Sequence, residues 1–125
     1  MSDDQLYRTI IDALVVQCRE GEGQVSARRV LAGVWNENAD AADAEAEPGQ
    51  HAMNVLLGSL DGNQRAVLAG LFADEFESGV YNVLRVLEAA QLPLFEAGEQ
   101  GGPTDHFLDR LDDWEWPEQS AGQAE

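Results

Sequence analysis

Asp61 to Ala90 reads DGNQRAVLAGLFADEFESGVYNVLRVLEAA, and the rest of the chain must pack against it. Apolar residues recur there at helical spacing twice over: Val67, Leu68, Leu71, Phe72 and Phe76 in the first half, then Val80, Val83, Leu84 and Leu87 in the second. Asp61 followed by Gln64 has the form of a capping box, which satisfies the orphan amides of a helix start. Glu77-Ser78-Gly79 is the place for a break, because glycine is costly inside a helix and serine can cap a new one. The stretch predicts a helical hairpin, or a sharp kink, at the centre of an all-α fold.

The flanking segments read the same way. Ser2 to Glu20 is an amphipathic helix with a second capping box in Ser2 and Gln5, acids Asp3 and Asp4 in its first turn, and a stripe of Leu6, Ile10, Leu14 and Cys18. Gln24 to Trp35 (QVSARRVLAGVW) is a short helix capped by Ser26, with Val30, Leu31 and Val34 on one side. His51 to Leu60 contributes Met53, Leu56, Leu57 and Leu60. Further on, Pro93 takes Leu92 to Phe95 out of helical geometry, and Ala97 to Pro103 is a turn-rich loop. Thr104 then caps a last helix that carries Phe107, Leu108, Leu111 and Trp114 on one face. No run alternates as a strand would. The expected architecture is a small bundle of about five helices in one domain, residues 1–117. Residues 36–50 (NENADAADAEAEPGQ) read as a mobile acidic linker and 118–125 as a disordered polar tail.

Charge narrows the function. Seven basic residues, all arginine, face 24 acids, for a net charge of −17. Such a surface repels phosphate backbones and anionic lipid, so direct nucleic-acid or membrane binding is not expected, whereas a basic protein partner or self-association is. The arginine-only, Ala- and Gly-rich usage looks like that of a high-GC bacterium. The lone Cys18 cannot form an internal disulfide, nothing near Met1 resembles a signal peptide, and no apolar run approaches a membrane span. A cytoplasmic location is the expectation. Cys18 continues an apolar stripe and reads as a buried core residue.

LLGSLDGNQRAVLAGLF (56–72) and SGVYNVLRVLE (78–88), preceded by SARRVLAGVW (26–35), resemble small acidic bacterial proteins grouped as a domain of unknown function. The resemblance covers roughly half the chain. It runs through helix-core positions and caps, so it implies a fold and transfers no activity.

Three constellations bear on chemistry. His106, Asp109 and Asp113 lie three and four apart, so one helix face would gather an imidazole and carboxylates suited to a divalent metal. Asp109 and Asp112 are equally what the solvated side of an amphipathic helix looks like, and no matching His-Glu motif occurs in another helix. Trp114-Glu115-Trp116 pairs indoles with an acid, an interaction surface for a basic or proline-rich partner. Its structural alternative has Trp114 completing the last helix face while Trp116-Pro117 folds back over it. Arg28 and Arg29, the only adjacent basic pair, invite an anion, but in so acidic a chain the expectation is pairing with the protein's own carboxylates. No phosphate-cradling loop is present, and although Cys18 could pair with either histidine on paper, nothing in the local sequence marks it as an activated nucleophile. The expectation is a non-enzymatic acidic binding or regulatory module, in one form an inhibitor or immunity-type protein for a basic target. The rival is a metal-binding protein or metal-dependent enzyme built on the 105–113 helix.

Overall fold

The computed structural model describes residues 2–39 and 48–118; most of the predicted linker (40–47) and all but the first residue of the predicted tail lie outside them. The fold is all-α. Five helices follow in order among the described residues: α1 (Asp3–Arg19), α2 (Val25–Ala32), α3 (Pro48–Ser59), α4 (Gly62–Ala89) and α5 (Pro103–Leu111), with 3₁₀ turns at Glu22–Gln24 and Pro93–Phe95. The described residues hold no strand, only a bridge between Gly98 and Gly101. Contacts divide the chain into two compact units, one formed by 1–19 with 78–125 and the other by 20–77. Where residues 36–50 were expected to be linker, α3 already begins at Pro48, and Asn54 on α3 fixes Asn36 and Ala39 by hydrogen bonds of 2.7 and 2.8 Å.

The expected hairpin at Glu77-Ser78-Gly79 is not formed; α4 is one helix of 28 residues running straight through it. Gly79 costs about 1 kcal/mol there, while a break would leave about four carbonyls and four amides without helical partners. No proline forces the issue. Both predicted capping boxes are present: Ser2 with Gln5, at 3.0 and 3.1 Å, and Asp61 with Gln64, at 3.0 and 2.8 Å.

In the 20–77 unit, Ala27, Val30, Leu57 and Ala69 are buried, with Trp35, Leu60, Leu68, Phe72 and Ala73 packed against them. Val67 on the same helix is 76% exposed. The buried face of α4 is thus marked by alanines, whose small side chains let neighbours approach, and not by every large apolar residue. In the other unit Ile11, Val15, Cys18, Leu84 and Phe107 form the buried set, each of the larger ones contributing about 1.5–3 kcal/mol. The buried face of α1 is Tyr7, Ile11, Val15 and Cys18, one position round from the predicted stripe, and Leu6 is exposed. None of the described helices is long and apolar enough to cross a membrane.

Candidate functional site

The site is assembled in the first unit from α1, the start of α5 and the segment after it. The N-cap of α5 is Gly102 and not the predicted Thr104, with Pro103 at the first helical position. Asp105 accepts the Gly102 amide at 3.3 Å, and this closure sets His106 one turn into the helix. α5 then stops earlier than predicted. Asp113 takes a left-handed conformation (φ 64°), its amide bonds to Arg110 O at 3.1 Å, and that of Trp114 reaches Asp109 O at 2.9 Å. This is a Schellman closure, and it turns the chain back toward α1.

The returning segment builds an aromatic box around His106. Trp114 lies flat against the imidazole (interplanar angle 7°, centroids 5.7 Å apart), Trp116 is tilted at 5.1 Å, and Tyr7 meets it edge-on at 5.6 Å. Asp12 fastens the segment. It accepts Trp116 Nε1 at 3.0 and 3.1 Å and Arg110 Nε at 2.7 Å, while Arg110 also donates to Trp114 O. Arg8 donates to Pro117 O at 2.9 Å and spreads over the Trp116 ring at 5.1 Å. Its Nε lies 3.1 Å from Asp4 Oδ2, an ion pair by distance, although that nitrogen makes no hydrogen bond.

Tyr7 is held protonated: burial pushes its hydroxyl up first, and the negative charges of Glu88, Asp105 and Asp4 push it further. Gln100 O can only accept, so His106 Nε2 carries the ring proton and donates to it at 3.2 Å. Nδ1 of the neutral imidazole then accepts from the Tyr7 hydroxyl at 2.5 Å.

Beside this box opens a cleft of about 440 Å³ whose lining includes Asp3, Asp4, Glu96, Glu99, Tyr7 and Trp116. Four carboxylates and two aromatic walls face one guanidinium, that of Arg8. A cation with an apolar stem fits such a lining.

The structure does not gather His106, Asp109 and Asp113. α5 ends at Leu111, so Asp113 is off the helix, where it pairs with Arg19 at 2.8 Å, and both ring nitrogens of His106 are engaged. Among the described residues no group of three or more His, Cys, Asp or Glu side chains is placed to hold a metal ion. Of Trp114, Glu115 and Trp116, the indoles are half-buried in the box, Glu115 is exposed, and only Trp116 lines the cleft. Tyr7, Arg8, Asp12 and Arg110 are the members that the sequence reading missed. The available signal was the spacing of Tyr7, Ile11 and Val15, which puts Tyr7 on the buried face of α1.

Helical fold, acidic composition and a half-buried histidine in an aromatic box define a small all-α acidic protein with an aromatic-walled cleft. The chain belongs to a family described as "Family of unknown function (DUF6547)", whose model matches residues 1–118, well beyond the half suggested by the core pattern. No curated protein and no solved structure matches it.

Proposed function

We propose that the protein is a non-enzymatic binding module that receives basic side chains of a protein partner in the cleft of its first unit. The observation that carries this reading is the lining itself: Asp3, Asp4, Glu96 and Glu99 beside Tyr7 and Trp116. Arg8 supports it, because the site already holds one guanidinium between a carboxylate, an indole face and a carbonyl. The unit as a whole carries 13 acids against four arginines, a net of −9, which steers a cationic partner toward it. An inhibitor or immunity-type protein that covers a basic surface is the role this chemistry suits.

The test is titration with a short oligoarginine peptide, followed by the side-chain resonances of Trp116 and Tyr7, at low and moderate salt. Binding should shift those signals, weaken as salt rises, and disappear in an Asp3→Asn/Asp4→Asn/Glu96→Gln/Glu99→Gln variant. Salt-insensitive binding, or binding unchanged by the four substitutions, refutes the assignment.

A further inference from the structure

The 20–77 unit carries a cleft of about 560 Å³ with the opposite chemistry. Its lining among the described residues includes Arg28, Arg29, Trp35, Asn38, Gln50 and a single acid, Glu37. Arg28 and Arg29 are expected to pair with the protein's own carboxylates, yet neither is in an ion pair with a described residue. Arg8–Asp4, Arg19–Asp113 and Arg110–Asp12 are ion pairs of the described residues, and none of their members lines this cleft. In a chain of net charge −17, two adjacent guanidiniums with no ion-paired carboxylate among the described residues stand out.

The cleft wall is built. Gly33 (φ 76°) ends α2 in a Schellman closure, with Gly33 N to Val30 O at 3.0 Å and Val34 N to Arg29 O at 3.2 Å. Trp35 follows directly, packed on Phe72 with centroids 5.7 Å apart, and holds the Arg29 guanidinium 5.4 Å from its ring. Asn54 Oδ1 accepts the amides of both Trp35 (2.7 Å) and Asn36 (3.0 Å), which fixes the turn beside the arginines. Asn36 Nδ2 donates to Gln50 Oε1 at 3.3 Å, leaving the amide nitrogen of Gln50 as a donor at the cleft.

We propose that this cleft binds a phosphate group, as the free anion or as a phosphomonoester. Two guanidiniums and the amide donors of Gln50 and Asn38 match a doubly charged group with several acceptor oxygens. Carboxylates farther than about 8 Å away are screened at physiological salt, so the chain's overall charge does not decide local binding. Among the described lining residues only Glu37 opposes it. The site is separate from the acidic cleft and does not rest on that reading.

The experiment titrates ¹⁵N-labelled protein with inorganic phosphate, with glycerol 2-phosphate in a second arm and acetate in a third, at constant ionic strength. Saturable shifts should be confined to the Arg28 and Arg29 Nε–H, the Trp35 indole N–H and the Gln50 and Asn38 side-chain amides. Arg28→Gln/Arg29→Gln should weaken binding at least about tenfold, as loss of charged hydrogen bonds requires. In the otherwise wild-type chain Glu37→Gln should tighten it, which keeps the test decisive should the double variant fold poorly. Stronger binding in the glycerol 2-phosphate arm identifies an ester as the ligand, and stronger binding of inorganic phosphate identifies the free anion. Shifts equally produced by acetate, or affinity unchanged in both variants, overturn the proposal.

Discussion

Asp12 is the fastening point of the first unit, and removing it gives a graded result. The side chains of Asp12 and Arg110 are 39% and 25% exposed, so their ion pair is worth about 1 kcal/mol and not the full value of a buried one. The Trp116 indole bond to a charged, half-buried acceptor adds about 1 kcal/mol. Asp12→Asn keeps an acceptor oxygen for the indole but loses the charge, so it should cost about 1 kcal/mol; Asp12→Ala should cost about 2 kcal/mol. At about 4 °C per kcal/mol for a chain of this size, the alanine variant should melt about 8 °C lower. Urea denaturation followed by far-UV circular dichroism measures both, and a cycle with Trp116→Phe should give a coupling of about 1 kcal/mol. Two outcomes refute the reasoning: an Asp12→Ala loss below about 0.5 kcal/mol, or Asp12 and Trp116 losses that simply add.

The pH dependence should have two limbs. Tyr7 is raised above its ordinary value of 10.0, so its contribution is complete below that pH and is lost as pH climbs toward the higher folded value; Tyr7→Phe should flatten alkaline unfolding, and in a Tyr81→Phe background tyrosinate absorbance should appear only with unfolding. Asp113 is lowered by its hydrogen bond to Arg19 and then by that charge, so its contribution holds above the ordinary 3.8 and fades as pH falls through the lower folded value; Arg19→Gln should return the Asp113 titration, followed by carbon NMR, toward 3.8. Gly33→Ala should destabilise by about 1–2 kcal/mol in thermal melts, since φ is 76° and the new Cβ would sit 2.6 Å from Arg65 Cζ. Gly79→Ala, facing open space inside α4, should stabilise by up to about 1 kcal/mol; a loss there would restore the hairpin that the sequence reading expects.

Fold class was legible because helical periodicity and capping are local signals, and both capping boxes predicted from Ser2/Gln5 and Asp61/Gln64 form as written. The break at Gly79 was misjudged because the penalty of one glycine is visible in a sequence, while the cooperative gain of continuing a helix is not. His106 and Trp116 were legible as unusual residues, but their partners were not. Asp12 lies 104 positions from Trp116 and Tyr7 lies 99 from His106, and nothing local encodes such pairings. The metal reading met a related obstacle. It assumed that the helix continues to Asp113, whereas Asp113 is the left-handed residue that ends it, a position usually taken by glycine.

The first unit is discontinuous in sequence: α1 is closed by residues from beyond position 78, with the whole of the 20–77 unit between. During synthesis at about 5–20 residues per second, roughly 100 residues must be added after Asp12 before Trp116 exists, a delay of about 5–20 s. The 20–77 unit needs no such wait, since it is one continuous stretch of sequence. Order of assembly is thereby written into connectivity: the middle of the chain can be finished while its first helix still has an open face. Pulsed hydrogen exchange during translation or refolding should protect α2 and α3 amides before those of α1, and simultaneous protection would contradict this ordering.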